Sequence, residues 1–268
     1  MIRVGIGGWT YEPWRGLFFP EKLPKTKELF HASRRVTSIE VNGTFYSTFT
    51  PKTFRKWFDE TPDDFIFSLK APRFAVNRRV LGEAGPSIAK FLESGVSELK
   101  SKLGPILWQL PPFKKYVAED IEAFLALLPK TFDGIELRHA LEVRHESFLV
   151  EDFILQARKA NVAVVIADKQ KYPFIADITS DFVYLRLQEA NAKIKTGYSL
   201  EDLQKWALLA RSWEKGEEPE QFSLLASRGK PRKSRDVFIY FINGAKERAP
   251  AAAETMIQIL SKQPNGTP

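Results

Sequence analysis

The sequence predicts an α/β protein built as a single (β/α)₈ barrel of the TIM type, and three observations lead to this fold. Short apolar runs typical of strands recur eight times along the 268 residues. Segments with helical spacing of apolar side chains fall between most of them, which implies parallel strands joined by helical crossovers. The length suits barrels of ~250 residues that form one domain. We therefore expect one barrel domain over residues 1–262 and a short polar tail over 263–268.

The eight predicted strands are rich in valine, isoleucine, phenylalanine and leucine. They span Arg3–Trp9, Val36–Phe45, Phe65–Lys70, Pro105–Leu110, Ile135–Arg144, Val162–Asp168, Phe182–Gln188 and Val237–Asn243. The predicted helices each place apolar side chains on one face. They span Pro51–Glu60, Pro86–Lys102, Glu119–Leu128, Glu151–Ala160, Leu200–Lys215 and Pro250–Lys262. Pro250 suits the first turn of a helix, because the N–H that proline lacks has no helical partner there.

An open doubly wound sheet is the alternative to the barrel. Such a sheet usually has a glycine-rich phosphate-binding turn between its first strand and first helix. Here the glycines of Gly5–Trp9 lie within the predicted strand, and the residues Thr10–Trp14 that follow do not start a helix. The sequence therefore favours the barrel.

Composition excludes several classes of protein and site. With 44% hydrophobic and 27% charged residues, the chain is neither disordered nor collagen-like. The absence of cysteine excludes disulfides, thiolate nucleophiles and iron–sulfur clusters. The first nine residues have no long apolar run and are typical of a strand, so we expect no signal peptide. No apolar run reaches the ~18 residues of a membrane span. We expect a cytoplasmic protein with no membrane partner, and the oligomeric state is not predicted.

Charged side chains interrupt several of the apolar strands near their ends. Alternate residues of a barrel strand point into the lumen, and a charge facing the helices would be buried away from water. The carboxyl-terminal mouth of a barrel is also where barrel enzymes have their sites. We therefore predict a ring of three carboxylates and three cations at the mouth. Its members are Glu40, Lys70, Glu142, Arg144, Asp168 and Arg186.

The ring suggests roles for its members. Arg144 and Arg186 are suited to bind a carboxylate or phosphate by a bidentate fork, and Lys70 as a point charge. Lys70 could also act as a base or as a Schiff-base nucleophile. Glu142 or Glu40 would be the general acid or base, and Asp168 would be an orienting residue beside it. The alternative is a set of buried ion pairs that only determine strand register.

Polar and aromatic residues around the mouth are further candidates for ligand binding. His145 follows the fifth predicted strand, and Asn42, Gln188 and Asn243 lie at the ends of others. Large aromatic residues are mostly buried in cores, but Trp9, Trp14 and Tyr46 are candidate stacking platforms for a sugar or base.

The ring also limits the choice of metal. Zinc needs several nitrogen or sulfur ligands, and the chain has three histidines and no cysteine, so zinc is not expected. Three carboxylates could hold Mg²⁺ or Mn²⁺, with water completing the shell. No other cofactor is predicted.

A basic run lies between the predicted helix Leu200–Lys215 and the eighth predicted strand. It contains five cations within eight residues. They are Arg228, Lys230, Arg232, Lys233 and Arg235. No aromatic residue is interleaved with them, which favours a solvated connection over a contact with nucleic-acid phosphates.

Several motifs together resemble the YecE-like family, domain of unknown function 72, over almost the whole chain. The motifs are GGWTYEPWRG (7–16) with FFP (18–20), IEVNGTFY (39–46), FIFSLK (65–70), LGPILWQL (103–110), EVRHESF (142–148), DFVYLRL (181–187) and VFIYF (237–241). The resemblance implies a TIM barrel with a site but no known reaction.

This chain departs from the family pattern at two places. Where the family reads Arg-Leu-His-Gly, the chain has Arg186–Glu189, with Gln188 in place of the histidine. Where the family reads Tyr-Phe-Asp/Asn-Asn-Asp, the chain has Tyr240–Gly244 and ends on a glycine. If the missing histidine and acidic residue do chemistry in the family, this member has altered or lost it, because glutamine cannot transfer protons near neutral pH as histidine can.

Three hypotheses about function follow from the sequence. The first is an enzyme of hydrolase or lyase type that acts on a small anionic compound resembling a sugar or nucleotide. The second is a ligand-binding barrel that has lost activity, suggested by Gln188 and Gly244. The third, nucleic-acid association through the basic run, has the least support.

Overall fold

Eight parallel strands in chain order form the barrel in a computed structural model of the chain, which describes residues 1–229 and 232–262. The strands are β1 (Ile2–Gly7), β2 (Ser38–Val41), β3 (Ile66–Lys70), β4 (Leu103–Gln109), β5 (His139–Glu142), β6 (Ala163–Val164 and Ile166–Asp168), β7 (Phe182–Leu187) and β8 (Asp236–Phe241). The first piece of β6 pairs with β5, the second with β7, and β8 pairs with β1. The barrel predicted from the sequence is therefore confirmed.

Nine α-helices accompany the strands within the described residues. They are α1 (Glu28–Ala32), α2 (Gly43–Tyr46), α3 (Pro51–Glu60), α4 (Arg73–Val76), α5 (Gly85–Leu92), α6 (Ala118–Ala126), α7 (Glu151–Ala160), α8 (Leu200–Glu214) and α9 (Ala249–Ser261). Pro250 occupies the first turn of α9, as predicted. In the part of the chain that the structure describes, no helix combines the length and apolar character needed to cross a bilayer. The predicted tail over 263–268 lies outside the described residues.

Three predicted elements are shorter than expected. The second strand ends at Val41, because the chain turns into the short helix α2. The fifth strand begins only at His139, since Ile135–Glu136 pairs antiparallel with Thr131–Phe132 across a two-residue turn. The predicted helix Pro86–Lys102 is divided: α5 stops at Leu92, and a 3₁₀ segment covers Val96–Lys102.

The lumen changes in character from one end of the barrel to the other. Apolar and aromatic side chains fill its lower and middle parts, including Phe182, Tyr184, Phe238 and Tyr240. The Tyr184 and Tyr240 rings lie 5.1 Å apart, and their hydroxyls hydrogen-bond to Ser68 and Ser38, each at 2.7 Å. A second and larger apolar core lies between the strands and the helices. The aromatic filling gives way to charged side chains at the carboxyl ends of the strands, which we call the mouth.

Candidate functional site

Five polar residues from five strands meet in the lumen at the mouth. They are Glu40 of β2, Lys70 of β3, Gln109 of β4, Glu142 of β5 and Arg186 of β7. Each occupies the inward-facing phase of its strand, and parallel strands bring their carboxyl ends to the same end of a barrel. All five are buried. The site therefore forms from positions far apart in sequence, and Arg144 joins it from just beyond β5.

Arg186 is held between two carboxylates, an arrangement we call the carboxylate clamp (Glu40, Glu142 and Arg186). Its Nε and Nη2 donate to the two oxygens of Glu40 at 2.9 and 3.0 Å, a bidentate pair, and its Nη1 donates to Glu142. Arg186 is 1% exposed. Burial alone would lower the pKa of Arg186, but Glu142 and Glu40 raise it above its ordinary value. Arg186 thus holds the carboxylates together and has little capacity left to bind a ligand directly.

Every carboxylate oxygen of the clamp also accepts a hydrogen bond from a donor other than Arg186. Tyr184 and Asn42 donate to Glu40 at 2.8 and 3.1 Å. Gln109 donates to Glu142 at 2.9 Å, and Arg144 Nε donates to its other oxygen at 2.7 Å. Burial opposes ionisation of Glu142, but Arg186 and Arg144 outweigh it and lower its pKa to about 2. Glu142 is therefore a fixed carboxylate near neutral pH and is poorly suited to transfer protons.

The same hydrogen bonds limit the site as a metal centre. The four oxygens of Glu40 and Glu142 already face N–H and O–H donors, which compete with a cation for the same lone pairs. Over residues 1–229 and 232–262, no three histidine, aspartate or glutamate side chains are grouped so that they could hold a metal ion. The geometry therefore gives no support to the Mg²⁺ or Mn²⁺ site that three carboxylates suggested.

Lys70 is the cation of the site that lacks a carboxylate contact. Its residue is 6% exposed, and its Nζ has no hydrogen-bond or ion-pair partner among the described residues. The Nζ lies 4.2 Å from the centre of the Phe45 ring. Burial, followed by the positive charge of Arg186, lowers the pKa of Lys70 to about 8. Lys70 thus keeps three N–H donors that no described residue accepts, although the charges of Glu40 and Glu142 act on it without contact.

Arg144 places a second cation at the edge of the mouth. Its Nε is bound to Glu142, and its guanidinium carbon lies 4.6 Å from the centre of the Tyr172 ring. Within the described part of the chain, neither Nη of Arg144 has a hydrogen-bond partner. The side chain is 15% exposed, so these donors face the opening. A guanidinium fixed at Nε and stacked on an aromatic ring is well ordered to receive a carboxylate or phosphate.

Asp168 lies at the same end of the barrel but outside the predicted ring. Its strand places Ala163, Val165 and Ala167 in the lumen, so Asp168 belongs to the opposite phase. It accepts hydrogen bonds from the Gln188 N–H and, at 3.1 Å, from the Tyr198 hydroxyl. Burial raises its pKa to about 7. Without Asp168, the ring has two carboxylates against three cations, and is more attractive to anions than a balanced set of six charges.

Gln188 continues the inward phase of β7 above Arg186. It is 1% exposed, and its Nε2 is buried without a hydrogen-bond partner among the described residues. Its Oε1 accepts a 3.3 Å hydrogen bond from Asn243, which is itself exposed. Gln188 therefore adds a further unsatisfied donor on the β7 side of the mouth. Asn42 has a different place, since its amide supports Glu40.

The predicted aromatic platforms and His145 have different surroundings. Trp14 is fully buried and donates to the Lys246 carbonyl at 3.0 Å, so it belongs to the core and has no face for a ligand. Trp9 packs edge-on at 5.1 Å against Trp57, outside the lumen. Tyr46 is 71% exposed on α2 and remains a candidate. His145 caps a 3₁₀ turn, its Nδ1 accepting from the Ser147 N–H at 3.1 Å.

Trp9 lies outside the lumen because the backbone conformation changes at Gly8. Gly8 has φ +75°, a left-handed conformation that ends the strand alternation, and its N–H donates to the Glu40 carbonyl at 2.8 Å. The alternation of the strand changes at Gly8, so Trp9 does not continue the phase of Gly5 and Gly7.

Four residues that contribute to the site were not among the sequence candidates. They are Gln109, Tyr184, Phe45 and Tyr172. The strand phase could have identified Gln109, because it follows Leu107 by two residues at the end of β4. Tyr172 lies in a loop, and no pattern in the sequence places it against Arg144.

The basic run is at the opposite end of the barrel, because it precedes β8. Arg235 is only 4% exposed and pairs with Glu218 at 3.1 Å, which corrects the expectation that the whole run is solvated. Arg228 donates to the Glu218 carbonyl at 2.5 Å, whereas Arg232 is exposed. Lys230 lies outside the described residues.

Comparisons with known proteins agree with the fold. The family model described as "Protein of unknown function DUF72" matches residues 3–268. UPF0759 protein YecE of Escherichia coli K12 is 28% identical over 141 residues, which are 52% of this chain and 49% of that protein. UPF0759 protein YunF of Bacillus subtilis is 26% identical over 167 residues, 58% of this chain and 55% of that protein. The matched part is about half the length of these curated relatives.

Solved structures of the same family resemble the chain over nearly its full length. A DUF72 family protein from Thermotoga maritima has a TM-score of 0.74 at 22% identity, covering 98% of this chain and 100% of the other. A DUF72 family protein from Enterococcus faecalis has a TM-score of 0.73 at 15% identity, covering 99% and 97%. At these identities the likeness concerns the fold.

Proposed function

The chain belongs to the DUF72 family, and we propose that the mouth of its barrel binds a small anionic compound through Lys70 and Arg144. The observation that carries the proposal is that the carboxylates at the mouth are paired while some of the cationic N–H donors are not. Both carboxylates of the clamp are engaged by arginines, while Lys70 Nζ and the two Nη atoms of Arg144 have no partner in the described residues. Lys70 is a largely buried cation without a contacting counter-ion, which is costly, and a bound anion reduces that cost. The free Nη atoms of Arg144 at the opening are placed to bind the same anion.

The clamp supports binding by holding the cations in place. Arg186 neutralises Glu40 and part of the charge of Glu142, so the carboxylates do not repel an entering anion as free groups would. Glu142 in turn orients Arg144 through the Nε contact of 2.7 Å. Gln188 Nε2 offers one more donor to an acceptor on the ligand. The mouth is therefore suited to a ligand that has an anionic group and further hydrogen-bond acceptors, as sugar and nucleotide derivatives have.

For the reaction, lyase-type chemistry at Lys70 is favoured over acid–base hydrolysis by Glu142, because arginines already bind both oxygens of Glu142 while Lys70 Nζ has no partner among the described residues. A carboxylate whose pKa is about 2 does not donate a proton near neutral pH, whereas an amine whose pKa is about 8 is partly neutral there. A ligand-binding barrel without activity is the second candidate. It is favoured by the same low pKa of Glu142 and by Gln188, an amide that cannot titrate.

Calorimetric titration with inorganic phosphate at low ionic strength tests the binding proposal. Charge-assisted hydrogen bonds contribute ~1.5–3 kcal/mol each, so we expect Lys70→Met and Arg144→Met each to weaken binding about tenfold or more. Arg232→Ala is the matched control, since this exposed cation lies at the other end of the barrel and is expected to leave the affinity unchanged. Equal affinity in Lys70→Met and the parent protein would show that phosphate binds elsewhere.

A further inference from the structure

Three lysines of the described chain are buried, and two of them have clear structural roles. Lys102 is 2% exposed and donates to the carbonyls of Phe58 and Thr61 at 2.5 and 2.8 Å. Lys114 is 9% exposed and binds Asp120 and the Arg79 carbonyl, both at 2.7 Å. Their ammonium groups are therefore satisfied by the protein itself, as buried charges generally are.

Lys70 differs from both, although it is buried to a similar degree. No carbonyl, hydroxyl or carboxylate of residues 1–229 and 232–262 accepts a hydrogen bond from its Nζ, which lies over the face of the Phe45 ring, 4.2 Å from the ring centre. It is the last residue of β3 and lies in the lumen phase at the mouth. Lys70 Nζ is not among the enclosed side-chain atoms that lack a partner, so it reaches the opening of the mouth. An amine with no acceptor from the protein and with access to the opening is placed to contact a ligand.

We propose that Lys70 is an amine nucleophile that forms an imine with a carbonyl compound carrying a carboxylate or phosphate group. This inference rests on the proposed function, because the anionic group of the substrate would occupy the Nη fork of Arg144. The substrate class is thus a 2-oxo acid or a phosphorylated aldehyde or ketone, in which the carbonyl and the anion are a few bonds apart.

The proposed step is balanced without an oxidant or a reductant. The lone pair of neutral Lys70 Nζ attacks the carbonyl carbon, and the electron pair of the C=O bond moves to oxygen, which takes up a proton released from nitrogen. The resulting carbinolamine loses the hydroxyl, with one more proton from solvent, as water. A protonated imine remains, and addition of water reverses the step.

The surroundings of Lys70 favour both halves of this step. Burial and Arg186 lower its pKa to about 8, so roughly a tenth of Lys70 is neutral at pH 7, roughly 200–300 times the neutral fraction of an ordinary lysine. The positive imine that forms stays near Glu40 and Glu142, whose charges already act on Lys70. The apolar ring of Phe45 on one side leaves fewer directions from which water can reach the nitrogen.

Reductive trapping tests the inference on the whole chain. The protein is incubated with pyruvate, or with dihydroxyacetone phosphate, in the presence of sodium cyanoborohydride, which reduces an imine to a stable secondary amine. We expect one adduct per chain, mapped by peptide mass spectrometry to Lys70, and formed at least tenfold faster than any adduct on an exposed lysine. The two probes distinguish a carboxylate from a phosphate as the anchoring group. Acetone, which has no anionic group, is expected to label slowly.

Two variants separate this inference from the proposed function. Lys70→Arg keeps a cation at the mouth but has no nucleophilic amine, so it is expected to bind phosphate and to form no mapped adduct at residue 70. Lys70→Met is expected to bind phosphate about tenfold or more weakly and to form no adduct at residue 70. If the parent protein binds phosphate at the mouth but labels at Lys70 no faster than at its exposed lysines, the imine is refuted and the binding proposal stands. If it neither binds nor labels, both fail.

Discussion

Replacing Lys70 with methionine is expected to stabilise the folded chain at pH 7. Lowering the pKa of a lysine from 10.5 to about 8 corresponds to about 3 kcal/mol of unfavourable free energy for the buried ammonium. Methionine fills nearly the same stem volume without a charge, but it gives up the cation–π contact with Phe45, which is worth about 0.5–2 kcal/mol. The net gain expected for Lys70→Met is therefore about 1–2.5 kcal/mol.

The gain depends on pH with a definite sign. Because the pKa of Lys70 is lower in the folded than in the unfolded chain, the unfolded chain binds more protons between about pH 8 and pH 10.5, and the parent protein gains stability as pH rises through that window. Below pH 8 the cost of the buried ammonium is fully present. The advantage of Lys70→Met is therefore largest near pH 7 and shrinks toward pH 10.5.

Urea unfolding followed by tryptophan fluorescence measures this difference at pH 7 and at pH 10. Lys102→Met is the matched control, because it removes a lysine whose Nζ has three oxygen acceptors within 3.3 Å. We expect the control to lose about 1–3 kcal/mol, since it leaves buried carbonyls unpaired. A loss of stability in Lys70→Met as large as in Lys102→Met would refute the reasoning, because it would mean that Lys70 has a stabilising partner.

Three further substitutions test other parts of the structure by the same unfolding measurement. Arg186→Met leaves Glu40 and Glu142 buried without their main partner, and is expected to cost about 3–5 kcal/mol; a neutral result would contradict the clamp. Asp168→Asn tests a carboxyl whose pKa burial raises to about 7. As pH rises, Asp168 ionises in the unfolded chain before it does in the folded chain, so the free energy of unfolding of the parent falls from about pH 4 to pH 7. Over this range the stability of Asp168→Asn relative to the parent is expected to increase by at most about 4 kcal/mol. A stability difference that does not depend on pH would contradict the raised pKa. Gly244→Ala places a Cβ 2.6 Å from the Ala190 backbone at φ +82°, and is expected to cost at least about 1–3 kcal/mol; an unchanged midpoint would show that this backbone can relax.

Strand phase predicted the inner half of the site well where polar and apolar residues alternate. In β7, Tyr184 and Arg186 stand in one phase between leucines and valine, and the structure places both in the lumen. The same pattern located Glu40 and Lys70 in their strands. In such strands the polar phase can only be the one that reaches the mouth, because the other faces the apolar helix layer.

The pattern failed where both faces of a strand are apolar. β6 has Ala163, Val165 and Ala167 in one phase and Val164 and Ile166 in the other. Both phases are apolar, as in strands buried on both sides, so the sequence of β6 does not reveal which residues face the lumen. Asp168 was therefore assigned to the ring, but it turns toward the Tyr198 loop instead. The sequence also could not predict which charged side chains form ion pairs. Only the distances in the structure show that Arg186 binds both Glu40 and Glu142 and that Lys70 contacts neither carboxylate.

The most direct test of this account is an NMR titration of the Lys70 side-chain ammonium, assigned by comparison with Lys70→Arg. The account predicts a pKa of about 8 in phosphate-free buffer, because burial and Arg186 disfavour the charged form. It also predicts that the pKa rises when phosphate is added, because a bound anion favours the ammonium. An ordinary lysine pKa of about 10.4 that phosphate does not change would contradict the central claim that the mouth holds an unsatisfied cation awaiting an anion.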